Sequence, residues 1–238
     1  MKHGGDRVFV LRHDVDSPFV YRKGLFKKIA NRIYLSDPDL PGKQFLPGYH
    51  EALKAILEIE KKFDTRASFF FRTATCPPPD IVRRLLDDRH EIAYHADRIE
   101  SFEEFHEDLV SLTQKTGCMI DGFTKHGYAK VRSGGHWNEA KMVEYAKRAN
   151  LKYLAQGEDH EDIDVPQLIS GVYVLGHHMT VKDRSLEDMT KYIESHEWPM
   201  IMIHPEDLFI EGVKDKFVKI LETAKAIPVG AALKLIAK

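Results

Sequence analysis

The sequence is poor in cysteine, in long apolar runs and in surplus charge of either sign. Its two cysteines, Cys76 and Cys118, close at most one bridge, which excludes a disulfide scaffold. No apolar run approaches the roughly 18–20 residues that span a bilayer. The apolar stretch at residues 8–11 is too short for a signal-peptide core, so a cytoplasmic protein without a membrane partner is expected. Lys plus Arg total 35 against 37 Asp plus Glu, a balance of −2 that lacks the basic footprint of a nucleic-acid binder. With 43% hydrophobic and 30% charged residues, the chain has a globular composition, not a disordered one. Histidine is what it has in quantity, 13 residues in all. Abundant imidazole with little thiol favours a histidine–carboxylate site.

Short apolar runs alternate with longer amphipathic ones. Residues 8–12 read as a strand, and residues 17–48, punctuated by DPDLPG and LPG, as an insertion with a short helix over 23–33. Helical spacing of apolar positions covers 49–63; RASFFFR is a strand at 66–72, and a helix over 80–88 follows a triple proline. HEIAYH is a strand at 90–95, and Ser101 with Glu104 forms a capping box for a helix over 101–116. Strands follow at 122–127, 152–155, 172–177 and 199–204, with helices at 138–149, 185–196 and 213–226. Such alternation implies parallel strands covered by helices. A barrel and an open doubly wound sheet both satisfy it. RHDVDSP stands where a GxGxxG fingerprint would follow the first strand, which disfavours the nucleotide-binding sheet. The expectation is one α/β domain over 1–238, of TIM-barrel-like type.

In parallel α/β folds the strand–helix loops open on one face, so functional residues gather at the C-terminal strand ends. Those ends carry His13, Asp14 and Asp16; His95 and Asp97; His126; His177 and His178; and His204. Asp14 and Asp16 share one face of an extended chain, and His13 takes the other. Adjacent carboxylates repel, so a cation neutralises one and leaves the other to accept a proton. An Asp-rich turn capping a helix is the alternative. Arg12, on the same face, either balances this charge or binds substrate. HEIAYH fails the zincin spacing, since His90 and His95 are separated by five positions and face opposite sides of a strand. His95 is the candidate ligand and His90 a structural residue. His204 suits a general acid, a metal ligand or a core histidine bonded to a carbonyl.

One of His177 and His178 can face the site, and His177 is a candidate for substrate binding. Arg132 and Trp137, in the loop KHGYAKVRSGGHW, suit a sugar-binding wall or closure of the barrel mouth. Phe69–Phe71 reads as core, and His3, His50, His106, His160 and His196 as surface.

Taken in order, LRHDVDS, RASFFF, RHEIAYH and IMIHPE resemble motifs of the polysaccharide deacetylases of carbohydrate esterase family four. The resemblance implies a distorted (β/α) barrel of seven strands. It implies a divalent metal, Zn²⁺, on Asp16 and His95, Asp14 as catalytic base and His204 assisting the leaving group. It also implies hydrolysis of an amide C–N bond, with an N-acetylated sugar or a small N-acyl compound as substrate. Two departures stand out. Ile99 occupies the position of the family's second metal histidine, and KHGYAKVRSGG lies where an arginine–proline–aromatic–glycine motif is usual. His126, with Asp97 behind it, is the candidate replacement ligand. A degenerate fold that binds carbohydrate or a partner without chemistry is one alternative, and a phosphoesterase using the same strand-end histidines is another.

Overall fold

A computed structural model describes residues 2–3, 6–18, 50–126, 138–155, 165–176 and 178–236. The helix expected at 23–33 and nearly all of the 17–48 insertion lie outside the described residues.

Eleven strands join in one curled sheet. They are β1 (Lys2–His3), β2 (Asp6–Val15), β3 (Ser68–Phe71), β4 (Glu91–Ala96), β5 (Gly122–Lys125), β6 (Tyr153–Ala155), β7 (Gln167–Ile169), β8 (Val172–Leu175), β9 (Met179–Thr180), β10 (Met200–Met202) and β11 (Lys225–Ile227). The main path runs β7-β8-β6-β5-β4-β3-β2-β10-β9, parallel throughout except at β7. Seven of its members are the expected strands, and the sheet curls into a half-barrel, in line with the distorted (β/α) barrel that the family resemblance implies. No helix among the described residues is long and apolar enough to cross a membrane.

The helices are α1 (Glu51–Lys62), α2 (Pro79–Asp87), α3 (Phe102–Thr116), α4 (Glu139–Arg148), α5 (Leu186–Ser195), α6 (Val213–Thr223) and α7 (Val229–Ile236). The Ser101 and Ser185 hydroxyls accept from the backbone N–H groups of Glu104 and Asp188 and so open α3 and α5, the first as the capping box at Ser101 predicts. One expected helix, over 213–226, ends earlier. Its last residues leave the helix to form β11, which pairs in parallel with Val8–Val10 of β2. Met200 and Ile227 both pair with Val10, so β10 and β11 occupy opposite edges of β2.

Period-two alternation divides the central strands between two cores. Phe9, Leu11 and Val15 pack outward under the helices with Phe69, Phe71, Ile92, Tyr94, Phe123 and Ile201. Val10, Phe70, Ala93, Tyr153, Leu175 and Met200 fill the barrel. The phenylalanine run is core as expected, but it serves both layers. Gly122 is required at its place because a Cβ there would lie 2.2 Å from the Tyr153 ring.

The barrel floor is closed by α7, whose Val229, Ala232 and Leu233 join the inner core. The Ser68 hydroxyl accepts from Val229 N–H at 2.8 Å and the Glu91 carboxylate from Gly230 N–H at 3.0 Å. Two N–H groups at the start of α7, which have no partner within the helix, are thereby satisfied.

On the outer face, the apolar stripe of α1 carries a fully buried Glu60. His13 meets it, Nε2 to Oε1, at 2.7 Å, while His13 Nδ1 donates to the Ile203 carbonyl at 3.2 Å. A carbonyl only accepts, so Nδ1 carries a proton and a second proton lies between Nε2 and Glu60. His90, whose Nδ1 accepts from Ala67 N–H at 3.2 Å, is structural as expected. His50 corrects the surface expectation. It is 2% exposed, sits just before α1 and adopts a left-handed backbone conformation with φ of 50°.

Removing one member of a buried pair leaves the other uncompensated. Glu60→Ala is expected to destabilise the fold by about 3–5 kcal/mol in urea unfolding. A loss below about 1 kcal/mol would show that the pair is energetically idle.

Candidate metal centre

The interior face of β2 presents Val10, Arg12 and Asp14 in succession and releases Asp16 at the barrel mouth. Arg12 and Asp14 are 2% and 5% exposed, so neither charge is solvated by bulk water. They face each other in a two-pronged contact: Nε donates to Oδ1 at 3.1 Å and Nη2 to Oδ2 at 2.5 Å. Nη2 also donates to Thr124 Oγ1 at 3.3 Å, and the guanidinium carbon lies 5.2 Å from the Phe70 ring centre. Burial alone would raise the Asp14 pKa. The charges of Arg12, His95 and His204 and the Arg12 hydrogen bond outweigh it and hold Asp14 below the ordinary carboxylate range. Arg12 was a candidate for substrate contact. It is buried and is the charge partner of Asp14, the other possibility left by the sequence.

Asp16 is the meeting point of three strand ends. His95, the penultimate residue of β4, donates from Nε2 to Asp16 Oδ1 at 2.8 Å. His126, one residue past β5, places Nε2 at 3.5 Å from the same oxygen. His204, past β10, places Nε2 at 3.5 Å from the other oxygen, Oδ2. Asp16 is 31% exposed at its side chain and is the most open member of the group. Burial raises its pKa, but the His95 hydrogen bond and the three imidazoles lower it to about 2.

One ligand atom each from Asp16, His95 and His126 falls within 4.8 Å of the others. One carboxylate and two imidazoles make a fitting donor set for a divalent ion such as Zn²⁺ with a position left open. Burial, with the positive field of His95, lowers the His126 pKa to about 4 against the opposing pull of Asp16. The imidazole is therefore neutral, with a lone pair for a metal, through the neutral pH range. Behind it, His126 Nδ1 lies 3.2 Å from Asp97 Oδ1. Ile99, at the position of the histidine expected from the resemblance, instead packs against the outer core.

His204 has a second partner, Asp207 Oδ2, 3.2 Å from Nδ1. Burial disfavours its charge, but this bond and the carboxylates of Asp16, Asp14 and Glu206 raise its pKa to about 9. These contacts favour the imidazolium, and both ring nitrogens face carboxylates and not a backbone carbonyl. His178 is buried beside β9 and takes no part in the Asp16 cluster. Arg132, Trp137 and His177 lie outside the described residues.

The sequence reading overlooked Thr124, Asp207 and Arg72. Thr124 shares the inner face of β5 with His126 two positions on, and Asp207 lies one turn beyond His204. Arg72 ends the RASFFFR strand, so the strand-end rule itself would have found it.

No family model and no curated protein matches the chain. Solved structures do. A protein from Mycobacterium smegmatis assigned as a polysaccharide deacetylase superposes with a TM-score of 0.62 at 13% identity, covering 93% of this chain and 85% of its own. A family 4 acetyl xylan esterase from Clostridium thermocellum, in complex with cobalt, gives 0.52 at 12% identity over 96% and 91%. A family 4 pseudoenzyme from Bacillus anthracis gives 0.50 at 14% over 96% and 66%. At such identities the likeness is one of fold: the chain is a divergent carrier of the polysaccharide deacetylase fold of carbohydrate esterase family four.

Proposed function

We propose that this protein is a metal-dependent hydrolase of an amide C–N bond that deacetylates an N-acetylated sugar or a related small N-acyl substrate. The observation that carries the reading is the convergence of Asp16, His95 and His126 between an ionised Asp14 and a protonated His204. Asp16, His95 and His126 would hold the ion, which when bound supplies Lewis acidity and lowers the pKa of a water molecule.

The protein's own residues supply the rest. Asp14, kept ionised and oriented by Arg12, takes a proton from the attacking water at a carboxylate oxygen. His204, protonated and fixed by Asp207 at Nδ1, delivers a proton from Nε2 to the departing amine. The products are an amine and a carboxylate. Zn²⁺ is the proposed ion, on the chemistry of the donor set. A cytoplasmic setting is part of the proposal, supported by Cys76 and Cys118, which are not bridged.

A catalytically silent carbohydrate binder is the second reading, favoured by Ile99 at a ligand position and by the pseudoenzyme among the structural neighbours. The neutral His126 beside Asp16 weighs against it. A phosphoesterase with two close ions draws no support, because the described residues bring together one group able to hold a metal.

Asp14→Asn is expected to lower kcat/KM for N-acetyl hydrolysis by about 10²–10⁴-fold while bound metal per chain stays unchanged. Loss of the metal together with activity would contradict the role of base. The raised His204 pKa fixes the sign of two pH effects. Its stabilising contribution is complete below about pH 6.5 and is lost as pH rises through about 9. As the acid, it makes kcat/KM fall on an alkaline limb. Asp207→Asn removes a partner of the charged form and should move that limb to lower pH; an unmoved limb would exclude His204 as the acid.

A further inference from the structure

The two histidines of the proposed centre are supported unequally. His95 Nδ1 is buried and makes no hydrogen bond among the described residues. His126 Nδ1 is backed by Asp97. Asp97 is in turn gripped by Arg72, whose Nε donates to Asp97 Oδ2 at 2.6 Å. Arg72 Nη1 also donates to the backbone carbonyl of Asp16 at 3.0 Å. The turn that carries Arg72 is itself tied to the same segment. Arg72 N–H donates to Thr75 Oγ1 at 3.1 Å, and the Thr75 hydroxyl donates to the Val15 carbonyl at 2.6 Å. One planar guanidinium thus sets both the backbone of one candidate ligand and the carboxylate that aims another.

The electrostatics run the other way. A cation at Arg72 lies near a site meant for a cation, and its field lowers the His126 pKa. Charge alone would make Arg72 unfavourable for metal binding. What it contributes is geometry, which lysine cannot reproduce, since an ammonium lacks the rigid fork that bridges two acceptors.

We infer that Arg72 is a positioning residue for the metal centre, orienting His126 through Asp97 and Asp16 through its backbone. The inference rests on the reading of Asp16, His95 and His126 as ligands, and it makes the end of β3 the brace by which His126 substitutes for the histidine absent at position 99.

The test is titration of metal-depleted full-length protein with Zn²⁺, and with Co²⁺ followed by its visible absorption. Arg72→Lys and Arg72→Met are both expected to weaken Zn²⁺ binding by roughly 10–100-fold and to alter the Co²⁺ spectrum. Asp97→Asn, which retains an oxygen for His126 Nδ1, should weaken binding less. In a His126→Ala background, Arg72→Lys should cost less than in the unaltered protein, because the two losses share one path. Thermal unfolding identifies any variant that has not folded, and Arg72→Lys, which keeps charge and bulk, then decides. Tight, His126-dependent binding that Arg72→Lys leaves unaltered would overturn the inference alone. Absence of His126-dependent binding in the unaltered protein would overturn the metal reading and this inference with it.

Discussion

The charge on Asp16 is the constraint around which the barrel mouth is organised. Its two carboxylate oxygens face imidazoles from three strand ends, His95 and His126 on one side and His204 on the other. A half-buried carboxylate is costly to leave uncompensated, and these contacts compensate it so fully that its pKa falls to about 2. The imidazoles do not respond alike. His126 is driven neutral, and His204 is kept charged by the additional pull of Asp207. Groups pushed apart in this way acquire separate chemical roles, a lone pair in one case and a proton in the other.

The same logic explains why Asp14 and Asp16 coexist at such short range. Period-two geometry on β2 aligns Val10, Arg12, Asp14 and Asp16 along the inner face. Arg12 takes up the charge of Asp14 from below, in a space lined by Phe70 and Thr124. Asp16 is left to the histidines above. His13, between Arg12 and Asp14 in sequence, points the other way and ties β2 to α1 and to the carbonyl just before His204. The outer polar network therefore fixes the strands whose inner faces carry the site.

Much of this was legible in the sequence. Alternation of apolar runs located the strands of the parallel sheet, and the strand-end rule singled out Asp14, Asp16, His95, His126 and His204 before any coordinates. The placing of His126 beside Asp16 and His95 was also readable, as the next strand end along. Elements set by long-range pairing were not legible. The Lys225–Ile227 segment carries a helical pattern into β11, because an open stretch of the edge of β2 outweighs local preference. Burial of polar residues was equally hidden. Nothing local marks His50 as enclosed or Glu60 as the one acid on an apolar helix stripe, since each depends on a partner distant in sequence. Arg12 was seen, but its commitment to Asp14 needs Phe70 and Thr124 from other strands to enclose it.

The central claim is that His126 completes the metal centre in place of the residue missing at position 99. X-ray absorption on the Zn²⁺-loaded protein tests it most directly, because scattering from imidazole rings reports how many histidines bind the ion. With His126 as a ligand, the spectrum should show two imidazoles and one carboxylate in the protein, and a single imidazole in the His126→Ala variant. One imidazole in the unaltered protein, or two that persist in the variant, would contradict it.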